Sequence, residues 1–112
     1  MKPRKPTDAN EAIDFIYKNA KPFAQAKANR IYCEEFRKSK KAHLMSQAGT
    51  EVLGKQETYA YAHEEYIEVL EGIKAAVERE EKYRWLMTAA QARVEVWKTE
   101  QYNARLEIKN TQ

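Results

Sequence analysis

Hydrophobic positions recur every seven residues through the second half of the chain. Tyr66, Ile73, Glu80, Met87, Val94 and Gln101 share one position of the repeat, and Val69, Ala76, Tyr83, Ala90, Trp97 and Ala104 share the position three residues later. Apolar or small side chains at alternating spacings of three and four line one stripe of an α-helix. The stretch holds no proline and a single glycine, Gly72. It therefore predicts one helix over about residues 64–105, roughly 60 Å long at 1.5 Å per residue. Such a helix must lay its stripe against another helix or another chain. Glu80 interrupts the stripe. A carboxylate there costs stability unless it meets a cation, and polar seam residues can fix register or oligomeric state. Arg79, Arg84 or a basic residue from the first half of the chain are its candidate partners.

The first half reads as helix in two pieces. Thr7 or Asp8 can cap a helix, and Asp8 with Glu11 has capping-box spacing. Ile13, Ile16, Tyr17 and Ala20 then mark an apolar face. Pro22 disfavours helical geometry at Lys21 and removes a backbone donor. Either a helix over 8–20 stops and a second over 22–48 begins, or one helix kinks there. Beyond it, at 100° per residue, Ala24, Ala28, Ile31, Tyr32, Phe36, Ala42 and Met45 spread over one broad half of the wheel. Lys27, Arg30, Arg37 and Lys41 fall within about 80° of each other elsewhere. Lys38 lies beside that stripe and Lys40 further round. Gly49 stands where a left-handed helix cap is favoured. Residues 49–63 read as a loop with room for a helical turn. In it Tyr59 and Tyr61 either pack onto the helices or present aromatic faces to bases. The tail from Leu106 is expected to fray.

These elements define an all-α fold: an elongated helical hairpin or bundle with a long C-terminal helix. A basic arm over 1–7 precedes a single helical domain over 8–112. Much of the apolar content is alanine and tyrosine, so the core should be narrow, and assembly into a homo-oligomer is the expected remedy.

Charge adds polarity to this picture. The net charge of +3 conceals a basic half, with eleven Lys/Arg against five Asp/Glu over residues 1–48, and an acidic remainder with nine against twelve. The basic half suits an anion such as nucleic acid, and the two halves suit attraction between subunits. Residues 64–81 carry seven acids against Lys74 and Arg79. One cysteine, Cys33, forms no internal disulfide, and no apolar run is long enough to span a membrane. A reducing cytoplasm is the expected compartment.

No catalytic constellation stands out. His43 and His63 have no partners at metal-ligand spacing, and His63 reads as a helix-opening residue before Glu64 and Glu65. A di-metal bundle would need Glu-x-x-His motifs, and neither a phosphate-binding glycine loop nor a dinucleotide fingerprint occurs. The reading is a non-enzyme without metal or cofactor. For nucleic acid the signal is positive charge in a line with tyrosines nearby. That suits single strands bound without sequence choice.

The run EYIEVLEGIKAAVEREEKYRWLMTAAQARVEVWKTEQ, preceded by AYAHE and by the basic RKSKKAHLMSQA segment, resembles small bacteriophage proteins of the UvsY-type recombination-mediator family. The likeness extends over about residues 26–105 and rests on helix order, size and charge layout. It implies an all-helical protein that oligomerises, binds single-stranded DNA and helps load a recombinase onto strands coated by a single-strand-binding protein. Arg37, Lys38, Lys40 and Lys41 occupy the family's Lys-rich position ahead of the connecting loop. The chain departs from the family in being shorter and in its acidic stretch over 64–81.

The expectation is thus a phage recombination accessory protein in which Lys27, Arg30, Arg37, Lys38, Lys40 and Lys41 contact phosphates, assisted by Arg4 and Lys5. Tyr66, Val69, Ile73, Ala76, Glu80, Tyr83, Met87, Ala90, Val94 and Trp97 would build the oligomer. The alternative is a protein-binding module, either an inhibitor of a host defence complex or a structural coiled-coil adaptor.

Overall fold

The structure, a computed structural model, describes residues 8–111. It is all-α, with α1 over Ala9–Ser46, α2 over Leu53–Ala62 and α3 over Glu64–Thr111. The expected basic arm, with Arg4 and Lys5, lies outside the described residues.

Asp8 caps α1, its Oδ1 accepting from the amides of Asn10 at 3.0 Å and Glu11 at 3.3 Å. Of the two alternatives at Pro22, the break does not occur: one helix runs through it. A proline inside a helix leaves the carbonyl four residues back without its usual donor. Here that residue is Lys18, which is exposed, so water can satisfy it. Just beyond the end of α1, Gly49 has a φ of +69°, the left-handed conformation expected of it. An added Cβ would meet nothing within 4 Å at Gly49, and nothing at helical Gly54 either. Gly49→Ala should therefore lose about 1 kcal/mol through backbone strain alone, while Gly54→Ala should gain roughly 0.5–1 kcal/mol. Thermal unfolding checks this pair, and shifts of the same sign would contradict a left-handed turn at Gly49.

The segment read as a loop contains a ten-residue helix, α2. Thr50 organises its start, with its Oγ1 accepting from the Val52 amide at 3.2 Å and its carbonyl from the Gln56 side chain at 2.7 Å. His63 alone separates α2 from α3. Its amide donates to the Ala60 carbonyl at 3.2 Å, and its Nδ1 accepts from the Glu65 amide at 3.1 Å. The helix-opening role read for His63 is thereby filled. At the other end, α3 continues to Thr111 instead of fraying at Leu106.

The chain forms two compact units. Phe23–Glu81 make one; the described residues up to Pro22 and those from Lys82 onward make the other. In the first, the latter part of α1, α2 and the start of α3 close over Leu44, Ala60 and Tyr66, with Met45 packed against them. In the second, Ala9, Ala12 and Ala90 are buried, and Glu11 pairs with Arg93 at 3.8 Å. Alanine dominates the buried set, so the core is as narrow as composition implied. Small side chains let helices approach closely, but each buries little area.

Candidate nucleic-acid interface

The stripe of α3 faces inward. Tyr66, Ala76, Glu80 and Ala90 are buried, and Val69, Ile73, Tyr83, Met87 and Val94 are half-buried, within one chain. Only Trp97 is exposed among the expected oligomer contacts. Side chains of the same chain thus cover the buried part of the seam, and the half-buried positions keep part of their surface accessible.

The facing stripe on α1 is largely polar. Ala26 and Leu44 are buried, and Arg30, Cys33, Arg37 and Lys40 are half-buried at heptad spacing between them. The apolar half of the wheel lies outward, with Ala24, Ala28, Ile31, Tyr32, Phe36 and Ala42 exposed. The physical reason is charge pairing. Arg30 donates to Glu80 from two nitrogens, Nε to Oε2 and Nη2 to Oε1, the latter at 3.3 Å. It also holds Glu34 at 3.0 Å. Lys40 Nζ pairs with Glu65 at 3.1 Å. Long cationic stems can cover an interface while their heads reach acids at its edge. Arg30 and Lys40 are therefore occupied by carboxylates rather than presented to phosphates.

These pairs leave electrostatic traces. Hydrogen bonding to Glu80 first, and to Glu34 second, raises the Arg30 pKa above its already high ordinary value. Hydrogen bonding to Lys40 lowers the Glu65 pKa. A depressed carboxylate pKa means that this pair supports the fold at neutral pH and fades as pH falls through the Glu65 value.

What remains for an anion is a cleft of about 240 Å³ lined by Arg37, Lys38, Lys41, Tyr61 and Tyr66. One helical turn of α1 supplies the three cations, and the α2–α3 junction supplies the rings. Lys41 Nζ lies 4.6 Å from the Tyr61 ring centroid, and hydrogen bonding to Tyr61 raises the Lys41 pKa. Tyr61 meets Tyr66 edge-on at 5.3 Å, while Tyr59 packs against His63 at 5.5 Å. The tyrosines do pack, as one of the two readings had it, yet Tyr59 and Tyr61 keep 38% and 48% of their surface exposed. Lys38 reaches Glu35 at 3.2 Å, an exposed pair that phosphate can displace. Lys27 is exposed but lies outside the cleft.

Tyr66, read from its heptad position as seam, is buried there and lines the cleft as well, a second role that the sequence reasoning missed. Its register directly after the α2–α3 junction was the available signal.

Comparisons with protein-family models, curated proteins and solved structures found no match. The resemblance to the UvsY-type mediators accordingly rests on helix order and charge layout alone. Among the described residues, no helix is long and apolar enough to cross a membrane, and no three His, Cys, Asp or Glu side chains gather as a metal-holding group.

Proposed function

We propose that this protein is a non-catalytic single-stranded-DNA-binding accessory protein of recombination, and that the cleft of Arg37, Lys38 and Lys41 against Tyr61 is its strand-contacting surface. The convergence of three cations on a partly exposed aromatic ring carries the reading. Cations neutralise phosphates irrespective of sequence, and an aromatic face accepts any base. Within this reading, the recombinase-loading role implied by the family resemblance would be exercised on strand held at this cleft. Self-association would add contacts along one strand.

A labelled oligothymidine titrated by fluorescence anisotropy tests it. Binding should weaken with salt, each neutralised phosphate contributing about −0.7 to the log–log slope. Arg37→Glu with Lys41→Glu should weaken binding by roughly tenfold or more at low salt. Lys27→Glu should do much less. No binding at low salt by the folded protein, or equal losses at Lys27 and in the cleft, would overturn the assignment.

A further inference from the structure

With much of the α3 stripe covered inside the chain, the more accessible apolar surfaces lie elsewhere. A groove of about 340 Å³ lies in the Phe23–Glu81 unit, between α1 and the start of α3. Tyr32 and Phe36 form one wall, their rings stacked at 6.1 Å and 18°. Val69 and the bare backbone of Gly72 form the other, and Cys33 also lines the space. Glu65 and Glu68 stand on its α3 side with Lys40 already paired to Glu65, so the lining is acidic by one charge.

The last turns of α3 have the opposite character. Every described residue from Gln101 onward is exposed, including Tyr102 at 60% and Leu106 at 39%. At 100° per residue, Tyr102 and Leu106 share an arc of about 100° with Lys98, Arg105 and Lys109. This is an apolar ridge with Arg105 and Lys109 along one edge, together with Lys98, whose exposed pair with Glu95 at 3.1 Å another carboxylate can displace.

We propose that the ridge of one copy docks in the groove of a second copy. Tyr102 and Leu106 enter the apolar space beside Gly72, and the cations meet Glu65 and Glu68. Gly72 and Tyr102 belong to one unbroken helix, which cannot fold back on itself, so the occupant comes from another molecule. The contact joins two different surfaces and therefore builds a ring or an open filament rather than a two-fold dimer.

Sedimentation velocity on the full chain without DNA tests this independently of strand binding. The protein should associate with rising concentration. Gly72→Leu fills the groove where an added Cβ meets nothing within 4 Å, and leucine favours helix over glycine. That variant, and Tyr102→Ser with Leu106→Ser, should sediment as folded monomers. Because Cys33 is the only cysteine, Tyr102→Cys under diamide should give a ladder of dimers, trimers and higher species on non-reducing gels. Adding Gly72→Leu should abolish the ladder, and Trp85→Cys should not produce one. A monomeric wild type, association insensitive to Gly72→Leu, or dimers alone from Tyr102→Cys would overturn the proposal.

Discussion

Glu80→Ala should lower the melting temperature by on the order of 10 °C, far more than loss of an exposed ion pair. Glu80 is only 2% exposed and receives two hydrogen bonds from Arg30. Removing it leaves the half-buried guanidinium at the edge of the helix interface with Glu34 beside it. A buried pair gains little over apolar residues of similar size, because desolvation of both charges opposes their attraction. Breaking it is another matter, since the remaining charge keeps its desolvation cost without its partner. Arg30→Met with Glu80→Leu should therefore recover much of what Glu80→Ala loses. Circular dichroism at the helical minimum reads both. A single variant melting with the wild type, or a double variant no better than the single, would show that the pair does not lock α1 against α3.

Leu44→Ala should cost about 3 kcal/mol. Leu44 is fully buried and packs with Ala60 and Tyr66 where α1, α2 and α3 converge. Of its neighbours, Ala60 is too short to fill the void and Tyr66 is held edge-on against Tyr61. Leu53→Ala, at an exposed position of α2, is the control and should stay within about 0.5 kcal/mol. Urea midpoints at unchanged slope give both values. Equal effects at the two leucines would remove the three-helix junction as the centre of the Phe23–Glu81 unit. Because Tyr66 also lines the cationic cleft, Leu44→Ala should weaken strand binding as well.

The helical class was legible residue by residue. The heptad repeat from Tyr66 marked the inward face of α3 with few errors, because backbone geometry alone sets which side chains share a stripe. Asp8, Gly49 and His63 announced their ends of helices through chemistry confined to a few neighbouring residues. Pro22 left a break and a kink both open, because a proline's cost is local, whereas the packing that offsets it is not. The short α2 was hidden by Gly54 and by a length at which propensity decides little.

The candidate site was only half legible. Arg37, Lys38 and Lys41 were readable as a basic cluster, but Arg30 and Lys40 were grouped with them although each is held by an acid. Glu80 signalled that a cation had to come, without saying from where. The wheel of α1 grouped Ile31, Tyr32 and Phe36 on one half without saying which half meets α3. Charge pairing with Glu80 and Glu65 turned the opposite face inward.

By itself, then, the sequence determined an all-α chain, the inward stripe of α3, the caps, and the polarity between a basic and an acidic half. These follow from spacing and local chemistry. Only the tertiary structure decided which face of α1 meets α3, which cations are already paired, and that the seam is covered within one chain. Those outcomes depend on pairings between residues as far apart as Arg30 and Glu80, and no periodicity in either helix encodes its partner.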